Sequence, residues 1–410
     1  MQALKKPYDI HQLENGSIIS PKGFAADGVH AGLRYAKKDL GIIFSEVPAQ
    51  SAAVYTTNVF QAAPLKVTQE SLAQEHKLQA VLVNSACANA CTGNRGLLDA
   101  YQTREWVAKK FGIPDHYVAV ASTGVIGEYL EMEKMKKGIQ MLKPAASKQH
   151  SNSFETSILT TDLVTKSCGV ETTIDGKKVT IGGAAKGSGM IKPNMATMLA
   201  FITTDAAVED GYVKQALKEI TDDTFNQITV DGDTSTNDMV LVLANGLAGN
   251  NPLSPKHPEW QKFLAAFKMV CEDLAKKIAR DGEGATKLVE INVEGAANDE
   301  EARKIAKTVV GSSLVKTAVY GNDANWGRVV CAVGYSEATV LPDQIDIAIG
   351  PYWILKNSEV QAYSEEAVTE YLKNETVVIQ IRLNVGNGTG TAWGCDLTYD
   401  YVKINASYRT

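Results

Sequence analysis

Hydrophobic residues along this chain fall into two alternating rhythms. Short, nearly continuous apolar runs rich in Val and Ile occupy residues 80–84, 117–122, 178–182, 197–203, 239–244, 288–293 and 376–385. β-branched residues pack well on a pleated surface, so these runs predict strands. Between them lie segments whose apolar positions recur every three to four residues, at 97–111, 132–142, 212–220, 300–310 and 364–373, and these predict amphipathic helices. The clearest spans 258–280. Pro258 suits a first turn, Phe263, Phe267, Val270, Leu274 and Ile278 make one stripe, and Gly282 supplies a stop. Strands interleaved with helices, without a repeat of 20–50 residues or a low-complexity linker, give a mixed α and β class.

Length adds that 410 residues exceed what one core usually organises, so a large domain with a smaller companion is expected. Hydrophobic content of 44% with 21% charged residues is that of a soluble globular protein, and no run of 18 uncharged apolar residues predicts a membrane span. The first residues lack a continuous apolar stretch, so a cytoplasmic location is expected. A net charge of -6 with no basic face argues against nucleic acid as partner and favours small-molecule chemistry or protein assembly.

Metal and disulfide chemistry find no pattern. Cys87, Cys91, Cys168, Cys271, Cys331 and Cys395 are too sparse for a disulfide framework and read as reduced. Cys87 and Cys91 stand four apart, yet no nearby His or second Cys pair completes a tetrahedral set. His11, His30, His76, His116, His150 and His257 are scattered, which leaves no His-based triad and no metal motif.

Oxygen- and glycine-rich segments hold the remaining candidates. The run 122–127, Ser-Thr-Gly-Val-Ile-Gly, follows a strand and offers a hydroxyl and free backbone N–H groups; it reads as a turn, or as a cradle for an oxyanion. The run 158–162 brings adjacent Thr hydroxyls and reads as a strand end or cap. The run 231–238 is dense in oxygen ligands but lacks the terminal Glu of an EF-hand loop, so a hydrogen-bonded turn network is expected. The run 386–390 precedes a strand-like tail and lacks the Lys-Ser/Thr of a phosphate loop. Glu283 stands between two glycines after the long helix, where a domain boundary is expected; it reads either as a loop residue or as a carboxylate lining a pocket.

One segment has a distinct chemistry. Thr197 follows the small residue Ala196 and leads from a glycine-rich turn into an apolar strand. A hydroxyl so placed can attack the preceding carbonyl, exchange peptide for ester and let water cut the chain. The freed α-amino group, of reference pKa about 7.7 to 8.0, is then a base bonded to its own nucleophile. On pattern alone Thr197 would be assigned to packing.

The string Lys186-Gly-Ser-Gly-Met-Ile-Lys-Pro-Asn-Met-Ala-Thr-Met-Leu199, with Phe225-Asn-Gln-Ile-Thr-Val-Asp-Gly-Asp-Thr-Ser-Thr-Asn-Asp238, resembles the ornithine acetyltransferase family of arginine biosynthesis. Ser20-Pro-Lys-Gly-Phe24, Thr56-Thr-Asn58, Asn84-Ser85, Ala88-Asn-Ala-Cys-Thr-Gly93, Ser122-Thr-Gly124, Gly321-Asn-Asp-Ala-Asn-Trp-Gly-Arg328 and Asn405-Ala-Ser-Tyr-Arg-Thr410 extend the likeness over nearly the whole chain. It departs at Ala86-Cys87, where a packing change is expected.

The resemblance implies a precursor that cuts itself between Ala196 and Thr197 into an α chain, 1–196, and a β chain, 197–410, associated as α2β2. It implies acetyl transfer from N-acetylornithine to glutamate through acetyl-Thr197, and N-acetylglutamate synthesis from acetyl-CoA as a second activity, with no metal or bound cofactor. It places the oxyanion hole at Thr123 and Gly124, and substrate contacts at Thr160, Lys186, Thr197, Glu283, Asn405 and Thr410. It further implies an α+β fold with an αββα sandwich over about 1–284, a smaller α/β domain over about 285–385, and a tail, 386–410, returning to the site. A related hydrolase that passes the acyl group to water, an amidohydrolase or aminopeptidase with an N-terminal nucleophile, is the alternative; a binding or scaffold protein is the third reading.

Overall fold

The computed structural model describes residues 8–192 and 198–407. Each strand and helix anticipated above is present, the strand Met239–Ala244 with the expected ends and the others with shifted ones; the helix expected from Pro258 begins at Trp260, with Pro258 in the turn before it. Residue 197, the first of one expected strand, lies outside the described residues, and that strand runs Leu199–Thr204.

A nine-stranded sheet organises the first two thirds of the chain. Its order is Ile10–Gln12, Lys166–Ile174, Lys177–Lys186, Leu199–Thr204, Met239–Ala244, Leu40–Tyr55, Lys77–Asn84, Val118–Ser122, with Phe24–Val29 also paired to Leu40–Tyr55. The 16-residue strand Leu40–Tyr55 is the hinge of this sheet. Its first part pairs with Phe24–Val29 and Lys77–Asn84, its last part pairs with Met239–Ala244, and its register breaks between Phe44 and Ala49.

Because of that bend the two halves of the sheet face each other. Ile43, Val81, Val83 and Ala119 from one half share a core with Leu199, Phe201 and Leu241 from the other. Side chains alternate across a strand, so the neighbouring positions point outward. Ile42, Leu82, Val118 and Val120 meet the helices Gly93–Phe111 and Met132–Met141 through Val107, Met135 and Ile139. Ala200, Ile202, Val240 and Val242 meet the helices Tyr212–Asp223 and Trp260–Arg280 through Leu217, Phe267, Val270 and Leu274. The result is the four-layer αββα sandwich. Both faces of its strands are buried, which is why they read as continuous apolar runs.

A second sheet of seven strands has the order Glu359–Val360, Tyr352–Lys356, Asp346–Ile349, Thr376–Arg382, Leu288–Ala296, Gly388–Cys395, Ile228–Thr229. One face packs on the helix Asp299–Gly311, whose N-cap Asn298 accepts from Glu301 N and whose first turn carries Asp299, Glu300 and Glu301 against the positive end of the helix. The segment from 386 opens with a strand of this sheet, Gly388–Cys395, before the helix Tyr399–Ser407. The short strand Ile228–Thr229, just before the polar run 231–238, ties the second sheet to the wall of the cavity described next.

Candidate active site

Two parallel strands, Lys77–Asn84 and Val118–Ser122, end level with each other at Asn84 and Ser122, and the loop that leaves the second lines one wall of a cavity of about 370 Å3 through Thr123, Gly124 and Ile126. Asn84 organises both loops. Its Nδ2 donates to Ser122 Oγ at 2.6 Å, and its Oδ1 accepts from the N–H groups of Ala86 and Cys87 at 3.2 and 3.1 Å. From across the cavity Asn237 Nδ2 donates to Ala88 O at 2.6 Å and Ser122 O at 2.8 Å. These bonds satisfy buried carbonyls that would otherwise cost about 1–3 kcal/mol each.

Within this wall the N–H of Thr123 is committed to Asn84 O at 2.9 Å and that of Val125 to Ala86 O at 3.3 Å. Among the described residues nothing accepts the N–H of Gly124. Gly124 has φ +126, and a Cβ there would lie 2.4 Å from Ala86 O, so only glycine fits this turn. Thr123 and Gly124 both line the cavity, and the Gly124 N–H has no acceptor among the described residues. Lys186 Nζ donates to Thr123 Oγ1 at 3.4 Å, which leaves the hydroxyl hydrogen to point elsewhere.

The floor is a buried ionic network. Lys166 Nζ sits 2.7 Å from Asp162 Oδ1 and 2.6 Å from Asp281 Oδ2, and the Lys166 side chain is fully buried. Asp162 also accepts from Gly187 N at 2.6 Å and Thr160 N at 3.0 Å, and Asp281 Oδ2 accepts from Leu163 N at 3.1 Å. Three backbone segments are thereby pinned to one ammonium. Burial pushes the Asp162 carboxyl up, but the Lys186 and Lys166 ammoniums and the hydrogen bonds outweigh it and hold it well below the usual carboxylate range. Burial lowers the pKa of Lys186, with Asp162, Asp238 and Glu283 opposing.

The third wall comes from the C-terminal helix. Asn405 Nδ2 donates to Glu283 Oε2 at 2.8 Å, and Thr398 Oγ1 donates to Gly284 O at 2.7 Å. Glu283 is buried, and its backbone N–H donates to Ser188 O at 3.1 Å. The run 231–238 closes the cavity as a hydrogen-bonded turn: Asp231 accepts from Met190 N at 2.7 Å and Ile191 N at 2.9 Å.

Thr123, Gly124, Thr160, Lys186, Glu283 and Asn405, from five separate parts of the chain, therefore line one cavity. Met198 lines it too, and Thr197 is the residue before it. Ala196, Thr197 and Thr410 lie outside the described residues. Among the described residues no cluster of His, Cys, Asp or Glu could hold a metal, and all six cysteines are free. Cys87 is buried with its thiol donating to Glu128 O at 3.0 Å, and burial pushes its pKa up, as befits a packing residue.

Sequence reasoning missed Lys166 and Asp281, placed Asn237 and Asp238 only within the polar turn 231–238, and treated Asp162 only as the end of a hydroxyl-rich run. Tyr401, also unforeseen, lines the cavity, and burial followed by the fields of Asp231 and Glu283 raises its pKa.

A family model described as the ArgJ family matches residues 25–410. The arginine biosynthesis bifunctional protein ArgJ of Geobacillus kaustophilus is 65% identical over 410 residues, 100% of both chains, and that of Bacillus subtilis is 60% identical over 395 residues, 96% of this chain and 97% of the other. A crystal structure of the arginine biosynthesis bifunctional protein from Bacillus halodurans aligns with TM-score 0.50 and 62% identity over 51% of this chain and 98% of that chain. Among the described residues no helix is long and apolar enough to cross a membrane.

Proposed function

The chain belongs to the ArgJ family, and from that premise we propose that it moves an acetyl group from N-acetylornithine to glutamate through an ester on Thr197, after cutting itself between Ala196 and Thr197. It is an acetyltransferase of arginine biosynthesis. One observation carries the mechanism: Thr123 and Gly124, whose N–H has no acceptor among the described residues, line the same cavity as Met198, the residue after Thr197.

Thr197 Oγ1 adds to the acetyl carbonyl while its own α-amino group takes the hydroxyl proton. The oxyanion forms against the Gly124 N–H and the Thr123 O–H, and the amino group returns the proton to ornithine as the C–N bond breaks. The amine of glutamate then attacks the ester, giving N-acetylglutamate and free Thr197. Lys186 and the neutral donors hold a substrate carboxylate, and Glu283 offers the anion that the distal ammonium of ornithine requires. Thr160 and Asn405 border the same space, and Thr410, three residues beyond the C-terminal helix, completes the set. The two pieces, 1–196 and 197–410, assemble as α2β2 in the cytoplasm, and acetyl-CoA serves as a second acetyl donor.

Support for the cut comes from the crystal chain of Bacillus halodurans, which is matched over 98% of its length yet covers 51% of this one. Residues 197–410 are 214 of 410, close to the same share.

The test is direct. The purified protein on a denaturing gel gives two pieces near half of 44.1 kDa, one with Thr197 at its N-terminus, and Thr197→Ala stays whole and inactive. Acetyl release from N-acetylornithine requires glutamate; equal release in buffer alone means hydrolysis and overturns the transfer reading. Acetyl-CoA with glutamate alone yields N-acetylglutamate, and no product there removes the second donor.

A further inference from the structure

We propose that Asp238 is the proton-transfer residue of the self-cleavage step. The inference rests on the cut at Thr197 proposed above. Before that cut the future α-amino group is an amide nitrogen and cannot act as a base, so the first attack needs another one.

The cavity wall offers few. Glu283 holds Asn405, Asp231 accepts three N–H groups, from Met190, Ile191 and Asp233, and Lys186 donates to Thr123 beside Asp162. Asp233 is exposed to solvent, and among the described residues no histidine lines the cavity. Asp238 remains. It lines the cavity, its residue is 3% exposed, and its Oδ2 has no partner among the described residues.

Its place is fixed by the sheet. Met239 N donates to Met198 O at 2.9 Å, and Met239 pairs with Leu199 in parallel register, so Asp238 stands level with Met198. Thr197 is one peptide unit from Met198, a Cα step of about 3.8 Å. Thr56 N donates to Asp238 O at 3.0 Å, which ties down the backbone from the other side. Burial raises the pKa of Asp238 well above its usual value, opposed by Ser235 and by Lys186, the charged group that faces it. A carboxylate with raised proton affinity is a stronger base than an exposed one.

The step balances as follows. The Thr197 hydroxyl gives its proton to Asp238 Oδ2 as Oγ1 bonds to the Ala196 carbonyl carbon. The tetrahedral carbon then expels the Thr197 nitrogen, which takes the proton from Asp238, and the C–N bond breaks. An ester and an amine result, and Asp238 returns to its starting state. Water hydrolyses the ester, leaving the Ala196 carboxylate and the Thr197 hydroxyl.

The experiment follows cutting of the full-length chain over time on a denaturing gel. Asp238→Asn, close in shape, cuts at least about 100-fold more slowly than wild type, the lower end of what a positioned acid–base group contributes. Asp238→Ala is also slow, and added formate restores cutting, which a packing role would not allow. Cutting of Asp238→Asn at the wild-type rate, or slow cutting of Asp238→Ala that formate leaves unchanged, overturns the proposal. A wild-type chain that stays whole, like Thr197→Ala, would instead remove the premise.

Discussion

Replacing Gly124 by alanine tests the oxyanion wall by moving one backbone N–H without altering any charge. The added methyl meets Ala86 O at 2.4 Å, Ala86 C at 2.5 Å and Cys87 N at 2.9 Å, all backbone atoms. Ordinary contact begins near 3.4 Å, so the turn must shift by about 1 Å, against the bonds from Asn84 and Asn237 that hold both loops. Alanine at φ +126 adds strain of about 1–3 kcal/mol. A shift of about 1 Å takes the N–H out of range of the oxyanion, and loss of one such donor costs about 10²–10³ in kcat, or about 2.7–4 kcal/mol. Steady-state transfer from N-acetylornithine to glutamate, measured on correctly cut enzyme, gives this number. Gly127→Ala is the control: it has φ +82 but nothing within 4 Å of the new methyl, so it carries strain without the collision and keeps kcat within a few-fold. A Gly124→Ala enzyme with kcat within a few-fold of wild type would refute the assignment of this N–H.

Three further outcomes follow. Lys166→Met leaves Asp162 and Asp281 buried without their shared cation, and urea unfolding should show a loss of about 3–5 kcal/mol; a loss below about 1 kcal/mol contradicts the network. The Asp162 carboxyl has a folded-state pKa below its unfolded value of 3.8, so its stabilisation is complete above that value and disappears as pH falls through the folded one. The stability gap between wild type and Asp162→Asn should therefore narrow below about pH 4, as followed by unfolding midpoints, and a constant gap excludes the linkage. Glu283→Gln keeps the shape facing Asn405 but removes the charge, and a charged hydrogen bond of about 1.5–3 kcal/mol predicts a KM for N-acetylornithine raised roughly ten- to hundredfold; an unchanged KM assigns Glu283 elsewhere.

Local pattern revealed those strands and helices whose periodicity is clean and left out those whose reason is tertiary. The strand Leu40–Tyr55 is broken in sequence by Ser45, Glu46, Pro48 and Ser51, and it exists because its two parts serve different halves of a bent sheet. Ser45 and Ser51 satisfy their hydroxyls locally, on Val47 O and Ala49 O, which makes polar residues tolerable there. Lys166 and Asp281 were invisible for another reason: charged residues are mostly solvated, and only the assembled floor shows why these are not. The cavity residues at 123, 160, 186, 283 and 405 come from distant stretches, so no window of sequence could unite them. Resemblance to a family named them together, and the fold supplies the physical link between them.

The bent sheet has one more consequence. Leu199–Thr204 and Met239–Ala244 lie inside it, with Lys177–Lys186 on one flank and Leu40–Tyr55 on the other, six residue pairs at each seam. The cut proposed at Ala196 would therefore leave the nine-stranded sheet woven from both fragments, while the seven-stranded sheet belongs to residues 197–410 alone. Once such a molecule melts, two separate strings must find each other by diffusion before either regains its shape. For a chain cut there, recovery from unfolding would depend on protein concentration, and at high dilution durability would be set by the rate of opening.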